Sequence, residues 1–257
     1  MINIIGEYIK YRWKARQRFG VHSPFVFDFG DKCLRLFVPN STLQGFKQLR
    51  NHYLKSHERI EVNDLGAGSR VLKNHRKISD IVKVSGVDLK YGKLLYRIST
   101  HYKPKNILEL GTSLGLGTYM LVSGNDKSKV TTIEGCVNTL NTAKTNFPKQ
   151  HLHQVDFIND SFENYLSTLD NQFVFDLIYI DGDHKSRSLF FYLELLKNHI
   201  HDETIIILDD IRWTKDMLDG WKMVKEQPQF HLSLDLFRLG IIVPRKHQQK
   251  EHFVIRY

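Results

Sequence analysis

The sequence has little of several features that mark special classes of protein. Only two of its 257 residues are cysteines, Cys33 and Cys136, too few for a disulfide framework or for a zinc site made of cysteine alone. No run of 18 uninterrupted apolar residues is present, which argues against a transmembrane helix. Charged residues interrupt the first apolar stretch and no small-residue cleavage site follows, so we predict no secretory signal. We therefore expect a globular protein of the reducing cytoplasm.

Acidic residues are scarce in the first part of the chain. The net charge is +9, from 37 basic and 28 acidic residues. Residues 1–103 hold 20 Lys and Arg against 8 Asp and Glu, whereas residues 104–257 hold 17 against 20. A basic surface can attract nucleic acid, an acidic membrane or an anionic substrate, and it can also be an ordinary solvated face. The asymmetry predicts two parts with different tasks, a basic helical extension over 1–103 and a second domain over 104–257.

Periodicity predicts helices in the first part and alternating strands and helices in the second. Such alternation favours an α/β fold with a parallel sheet covered on both faces, and the end of the chain predicts an antiparallel hairpin. The predicted helices are 2–18, 24–37, 41–57, 76–85, 88–102, 115–123, 138–147, 161–169, 186–199 and 214–226. The predicted strands are 106–110, 129–134, 151–157, 175–181 and 204–210, with two more within 230–245.

The segment ILELGTSLGLG over residues 107–117 joins an apolar strand to a helix through a glycine-rich turn. The strand carries Glu109, and Gly111, Gly115 and Gly117 follow it. Glycines at such a turn allow the backbone to approach a nucleotide-like ligand closely. Their G-x-x-x-G-x-G spacing differs from the G-x-G-x-x-G that favours a pyrophosphate-binding dehydrogenase.

Polar side chains follow the next two strands. Glu134 ends the second strand, where an acid can accept hydrogen bonds from both hydroxyls of a ribose, or can simply be solvated. Asp160 and Ser161 follow the third strand and can contact an adenine edge, cap the next helix, or do both. Together with the glycine-rich turn they predict a cofactor site.

Acidic residues follow the fourth and fifth strands, in IDGDHK (180–185) and LDD (208–210). Asp181, Asp209 and Asp210 are then expected at one edge of the sheet, and oxygen ligands of this kind suit Mg²⁺, Ca²⁺ or Mn²⁺. The alternative is that Asp183 and Asp210 cap the following helices and Asp209 is solvated.

In these motifs, residues 104–245 resemble the class I S-adenosylmethionine-dependent methyltransferases. The most similar members are metal-dependent small-molecule O-methyltransferases, of the catechol, caffeoyl-CoA and sugar types. The resemblance implies a Rossmann-like sheet of seven strands in the order 3-2-1-4-5-7-6, with strand seven antiparallel. It implies cofactor contacts by Glu109, Gly111, Thr112, Ser113, Gly115, Glu134, Asp160, Ser161 and Asp181, and a divalent cation, most simply Mg²⁺, held by Asp181, Asp209 and Asp210. The HSPF motif at 22–25 resembles a group of bacterial methyltransferases and indicates no substrate.

The proton acceptor is expected beside Asp181. The catechol-type enzymes carry a lysine three residues after the first metal-binding Asp, and this position is His184 here, with Lys185 next to it. A histidine has an unperturbed pKa of about 6.5, so its neutral form is available near pH 7. We predict His184 as the base, with Lys185 as the alternative.

The predicted function is methyl transfer from S-adenosylmethionine to a hydroxyl group of a small molecule. The alternatives are a nucleic-acid methyltransferase that uses the basic region, an NAD-dependent dehydrogenase, and a non-catalytic module on the same fold. The sequence does not name the acceptor, and a homodimer stays open. A second glycine turn, VNDLGAGSR at 62–70, is interpreted as a structural turn or a lid.

Overall fold

The computed structural model describes residues 3–16, 23–63, 75–170 and 172–257. Its helices are α1 Ile4–Lys14, α2 Pro24–Lys32, α3 Asn40–Lys55, α4 Ile78–Val84, α5 Leu89–Tyr102, α6 Leu116–Gly124, α7 Val137–Asn146, α8 Phe162–Ser167, α9 Ser186–Leu195 and α10 Lys215–Val224. Its strands are β1 Arg59–Glu61, β2 His75–Lys77, β3 Asn106–Leu110, β4 Lys129–Glu134, β5 Val155–Asn159, β6 Phe175–Ile180, β7 Ile200–Leu208, β8 Leu232–Asp235, β9 Gly240–Val243 and β10 Glu251–Val254. None of the described helices is long and apolar enough to cross a membrane.

The chain divides into two compact units. One is Leu36–Tyr165, and the other combines Met1–Arg35 with Leu166–Tyr257. These limits differ from the boundary at 103/104 predicted from the charge distribution. The division into a basic extension over 1–103 and a second domain over 104–257 stays a prediction.

In the unit 36–165, the strands β3, β4 and β5 are parallel and lie in the order β3-β4-β5. The register pairs Glu134 with Asn159, so the carboxyl ends of β4 and β5 lie side by side. Asp88 begins α5 by accepting a hydrogen bond from the Tyr91 backbone, as its sequence position predicts. The apolar side of α5, with Leu94, Leu95 and Ile98, is fully buried.

In the other unit, the strand order is β10-β8-β9-β7-β6. The strands β6 and β7 are parallel, and β9 is antiparallel to both β7 and β8. Buried isoleucines dominate β7, from Ile205 to Ile207, because this strand is covered on both faces. The strand ends of β6 and β7 therefore present the acids that follow them at one edge.

The mixed α/β fold predicted from the sequence is confirmed. The predicted order appears as 3-2-1 in β5-β4-β3 and as 4-5-7-6 in β6-β7-β9-β8, with the seventh strand antiparallel. The difference is β10, an additional strand parallel to β8. One predicted strand was placed too early, since residues Lys149–Gln154 form a 3-10 helix and β5 begins only at Val155.

The first part of the chain is less helical than predicted. The helix from Pro24 ends at Lys32 rather than near Phe37. The strands β1 and β2 form an antiparallel pair that the periodicity did not indicate. Most of the second glycine turn, from residue 64 onward, lies outside the described residues.

Candidate active site

The glycine-rich turn after β3 has the backbone conformation that its glycines predict. Gly111 has φ 111° and Gly115 has φ 75°, a region in which L side chains are strained. Ser113 also lies in the left-handed region, with φ 47°. The backbone amides of Gly111 and Thr112 both donate to the Ile133 carbonyl, at 3.0 and 3.2 Å, which anchors the turn to β4.

Glu134 is fixed against this turn by its own carboxylate. Its Oε2 accepts a hydrogen bond from the Ser113 amide and its Oε1 accepts one from the Cys136 amide, each at 3.0 Å. The hydroxyl of Ser113 is buried and has no hydrogen-bond partner among the described residues. A buried polar group of this kind is costly unless a ligand satisfies it, so the turn fits a bound polar molecule.

Asp160 and Ser161 lie at the end of β5. Asp160 accepts hydrogen bonds from the Ser161 amide and the Asn164 side chain, at 2.8 and 2.7 Å, and the Ser161 hydroxyl accepts one from the Asn164 amide at 3.1 Å. They brace the start of α8, as one of the two interpretations proposed. Asn159 donates to the Glu134 carbonyl at 2.8 Å, which ties the end of β5 to the end of β4.

Glu109 is buried inside the unit, with 1% of its surface exposed. Its Oε2 accepts hydrogen bonds from the Thr118 and Thr132 hydroxyls, at 2.5 and 2.7 Å. Burial raises the pKa of Glu109 to about 7, and the two hydroxyls oppose this rise. Thr132 also pairs with the Thr112 hydroxyl at 2.6 Å, so the carboxyl group is linked to the glycine-rich turn through two threonines.

The acids after β6 and β7 lie together, and an arginine joins two of them. Arg238 contacts Asp209 twice, from Nε to Oδ1 at 2.8 Å and from Nη2 to Oδ2 at 3.1 Å. Its Nε also lies 3.2 Å from Asp210 Oδ1. The Tyr179 hydroxyl reaches Asp209 Oδ2 at 2.7 Å and Asp181 Oδ2 at 3.0 Å. Asp209 is thus buried and held by side chains, and is not solvated as the alternative supposed.

Asp181, His184 and Asp210 converge on one point. Their ligand atoms all lie within 4.8 Å of one another, and His184 Nε2 lies 3.9 Å from Asp181 and 3.8 Å from Asp210. Burial raises the pKa of Asp181 well above its usual value, and the negative charges of Asp209 and Asp210 raise it further. Asp210 has φ 52°, an uncommon backbone conformation of the kind that clusters at functional sites.

Lys185 turns toward a different acid. Its Nζ lies 3.3 Å from Asp183, which also accepts a hydrogen bond from the Tyr192 hydroxyl at 3.1 Å. Neither Asp183 nor Asp210 caps a helix with its side chain, since Lys185 is the cap residue of α9 and Thr214 caps α10. The structure therefore places His184, and not Lys185, at the acidic cluster.

Sequence reasoning missed Arg238 and Tyr179. Arg238 follows Phe237, whose φ is 75°, in the turn between β8 and β9. A buried ion pair supports this turn, because Arg212 contacts both carboxylate oxygens of Asp235 and also the Phe237 carbonyl. The sequence does show that Arg238 is a charged residue in the turn between two apolar strands. This position does not indicate which residue it contacts.

A family model described as a methyltransferase domain matches residues 108–211. This chain contains a methyltransferase domain. The match covers the glycine-rich turn, Glu134, Asp160 and all the acids of the cluster, and it confirms the methyltransferase expected from the motifs. No curated protein matches the sequence.

Solved structures of methyltransferases share the fold of most of this chain at low sequence identity. The SAH-bound methyltransferase PaMTH1 from Podospora anserina has a TM-score of 0.59 and 16% identity, covering 87% of this chain and 96% of its own. An O-methyltransferase from Bacillus cereus in complex with SAH has a TM-score of 0.58 and 19% sequence identity, and the match covers 81% of this chain and 93% of that one. The O-methyltransferase TomG from Streptomyces achromogenes is involved in tomaymycin synthesis and was solved with SAM. It has a TM-score of 0.57 and 14% sequence identity, and the match covers 81% of this chain and 92% of that one. At these identities the likeness establishes the fold.

Proposed function

We propose that the methyltransferase domain transfers a methyl group from S-adenosylmethionine to a hydroxyl group of a small molecule. The observation that carries this proposal is the glycine-rich turn with its fixed Glu134 and the unsatisfied hydroxyl of Ser113, inside the matched domain. The similar structures from Bacillus cereus and Streptomyces achromogenes, described as O-methyltransferases with SAH or SAM bound, support the choice of cofactor and reaction class.

The residues of the unit 36–165 would each hold one part of the cofactor. Glu134 would accept hydrogen bonds from the ribose hydroxyls, because its carboxylate is held against the glycine-rich turn by two backbone amides and a carboxylate oxygen can accept more than one hydrogen bond. Asp160 and Ser161 would border the adenine. The cofactor set predicted from the sequence otherwise comprises Glu109, Gly111, Thr112, Ser113 and Gly115, and it includes Asp181.

We also propose a divalent cation, with Mg²⁺ as the first candidate. When bound, it would lower the pKa of the acceptor hydroxyl and fix its direction. The predicted ligands were Asp181, Asp209 and Asp210. Asp181 and Asp210 fit this role, since each directs an oxygen toward the point that they share with His184. Asp209 would not contact the cation directly, because Arg238 and Tyr179 already contact its oxygens. It would support the site through these two side chains.

The chain's own part in the chemistry is to position the acceptor and remove a proton. Alignment of the acceptor oxygen with the methyl carbon contributes up to about 7–11 kcal/mol in favourable cases. We propose that His184 Nε2 accepts the proton of the acceptor hydroxyl, since this atom faces the acidic cluster. Lys185 remains the alternative base. Trp213, which is 48% exposed in the segment after Asp210, is a candidate wall for the acceptor.

Two measurements test this proposal. Calorimetry with S-adenosylhomocysteine should give a dissociation constant in the micromolar range, and tighter binding of NAD would overturn it. Methyl transfer is then measured with phenols, sugars and acyl derivatives as acceptors, in EDTA and after addition of Mg²⁺ or Mn²⁺. Full turnover in EDTA would refute the metal while leaving the transferase intact.

The role of His184 needs a separate experiment, because a histidine at this place can act as base or as ligand. His184→Ala should reduce kcat by about 10²–10⁴-fold if it is the base. Binding of Mn²⁺, followed by electron paramagnetic resonance, should then stay the same. Loss of Mn²⁺ binding would make His184 a ligand, and a near-normal kcat beside an inactive Lys185→Ala enzyme would transfer the role of base to Lys185.

A nucleic-acid acceptor and a cofactor-binding module without turnover are the remaining alternatives. The similar structures do not favour either. A gel shift with RNA or DNA that weakens steeply with salt would support the first, and tight S-adenosylmethionine binding without transfer to any acceptor would support the second.

A further inference from the structure

Helix α1 exposes an apolar stripe that the proposed function does not use. Ile5, Ile9 and Trp13 follow one another at every fourth residue, so they lie on one side of the helix. Their exposed fractions are 70%, 63% and 86%. Large apolar side chains that are exposed together on one face, unlike scattered ones, mark a surface that binds something.

The stripe faces outward although the helix is firmly attached. On the other side of α1, Tyr11 is 2% exposed and its hydroxyl donates to the Ile255 carbonyl at 2.6 Å. The Tyr8 ring meets the Phe237 ring edge-on, with 5.0 Å between centroids. Since these contacts fix the rotation of the helix, Ile5, Ile9 and Trp13 are presented to the outside by the fold itself.

The same helix carries three exposed basic side chains. Lys10, Arg12 and Lys14 are all exposed, and the single acid of the helix, Glu7, contacts Lys10 at 2.9 Å. Like charges also meet beside the helix. Burial lowers the pKa of Lys225, and the positive charge of Lys14 lowers it further, against the opposing effect of nearby acids. Cations that approach one another at an apolar surface are complementary to a partner with many negative charges.

We propose that α1 binds the surface of a membrane rich in anionic lipid. The apolar stripe would enter the region of the head groups, and Lys10, Arg12 and Lys14 would lie near the lipid phosphates. Tryptophan is enriched at this depth, because its ring is apolar and its N–H needs a polar partner. The chain would lie on the membrane, as no described helix is suited to cross it.

A second copy of the chain is a less suitable occupant of the stripe. A two-fold symmetric contact brings the same surface of both copies together, so the basic residues of one helix would face those of the other. A membrane of anionic lipid offers the opposite charge over any area. Because the stripe covers only two helical turns, attachment should be reversible and salt-sensitive, unlike a permanent anchor.

Sedimentation with lipid vesicles tests this proposal on the full chain. We expect binding to vesicles of phosphatidylglycerol and phosphatidylcholine, weakened at least tenfold by replacing the charged lipid with phosphatidylcholine or by raising salt from 0.05 to about 0.5 M. The triple variant Ile5→Ser, Ile9→Ser, Trp13→Ala should lose at least tenfold in affinity. So should the variant with Lys10, Arg12 and Lys14 each changed to Gln.

Matched controls separate the stripe from general surface properties. Phe37→Ser removes a side chain that is 73% exposed elsewhere, and changing Lys47, Lys127 and Lys149 to Gln removes three exposed positive charges from the other unit. Both controls should bind vesicles like the wild type. All variants should keep wild-type affinity for S-adenosylhomocysteine, so failure of the cofactor proposal is seen separately.

Three results would overturn the membrane proposal. The first is absence of binding to anionic vesicles at low salt. The second is equal weakening in the α1 variants and in their controls. The third is a dimer, detected by analytical ultracentrifugation, that the stripe variant converts to monomers while vesicles bind neither form; the occupant of the stripe would then be a second copy.

Discussion

Glu109 combines complete burial with an ionisable group, and its pH response follows from this. Its pKa rises from the usual 4.5 to about 7 on folding. Between pH 4.5 and about 7, Glu109 keeps its proton in the folded chain but has released it in the unfolded chain. The free energy of unfolding therefore falls as the pH rises through this range, by roughly 3 kcal/mol in total. In Glu109→Gln the side chain cannot ionise, so this fall in the free energy of unfolding should disappear.

Urea denaturation from pH 4.5 to 8 measures the effect. The stability of Glu109→Gln minus that of the wild type should increase by about 3 kcal/mol across this range, close to the energy of the full pKa shift. Glu163→Gln, a change of an exposed glutamate, should give a flat difference over the same range. A flat difference for Glu109→Gln as well would mean that the buried carboxyl ionises at its ordinary pH.

Glu134 should be the main polar contact to the cofactor. Glu134→Ala removes the carboxylate that holds the Ser113 and Cys136 amides, and it would leave two ribose hydroxyls unpaired. We expect calorimetry to show weaker S-adenosylhomocysteine binding by roughly 1–3 kcal/mol. Glu163→Ala is the control and should bind normally. Equal affinity of Glu134→Ala and wild type would place the ribose elsewhere.

Arg238 contacts two of the acids at the proposed cation site, so its removal should raise the affinity for a cation rather than lower it. In Arg238→Ala, Asp209 loses its guanidinium partner and becomes a further carboxylate available to a cation. We expect Mn²⁺ affinity to rise about tenfold or more, and stability to fall by about 3–5 kcal/mol because a buried charge is left unpaired.

Electron paramagnetic resonance measures the Mn²⁺ affinity of Arg238→Ala, and urea denaturation measures its stability. Arg238→Lys keeps a positive charge and should bind Mn²⁺ more like the wild type. An unchanged or reduced Mn²⁺ affinity in Arg238→Ala would separate this arginine from the cation site.

At the scale of elements, the sequence predicts best the strands that are buried between other strands. The bounds of β3 and β4 agree to the residue with the apolar runs NILEL and KVTTIE. By contrast, β2 is the polar segment HRK and β10 is the half-buried segment EHFV, and neither has the apolar pattern of a buried strand. Their pairing depends on partners far away in the chain, which local pattern does not contain.

The same limit applies to the candidate site. Glu134 could be singled out because it ends a predicted strand, and Asp181 because it directly follows one. The carboxyl ends of parallel strands are where ligand sites of α/β sheets are expected. The role of Asp209 could not be predicted, since its partner Arg238 lies 29 residues away in a turn whose direction depends on Phe237 and Arg212. Motif position therefore selects the candidate acids, whereas tertiary contacts such as those of Asp209 with Arg238 and Tyr179 cannot be read from it.

The Tyr11 hydroxyl makes two of the hydrogen bonds that attach α1. Tyr11 donates to the Ile255 carbonyl and accepts a hydrogen bond from the Tyr257 amide at 3.1 Å. Tyr11→Phe should lower the free energy of unfolding by about 1–3 kcal/mol, because both backbone groups lose a partner. Tyr8→Phe, at a ring that is 46% exposed, should cost little. Urea denaturation compares the two, and equal costs would contradict this account.

For the whole molecule, cofactor binding should appear as thermal stabilisation. A ligand at 100 times its dissociation constant adds about 2.7 kcal/mol to the stability of the folded state. For a chain of this size that corresponds to roughly 5–10 °C in Tm. Differential scanning fluorimetry should show this shift with S-adenosylhomocysteine and none with NAD at the same concentration. A larger shift with NAD would instead favour the dehydrogenase.

The pairing of α1 with the region around Ile255 has a consequence for the order of synthesis. The two partners are 244 residues apart, and Arg16 also exchanges backbone hydrogen bonds with Val254 and Arg256. The unit 36–165 is continuous in the chain and can fold as it leaves the ribosome. Helix α1 is made earlier, but its partners described above lie late in the chain, at Phe237 and at residues 254–257. Helix α1 is therefore translated before the unit 36–165 but docks after that unit can fold, and until then its apolar residues are accessible to chaperones.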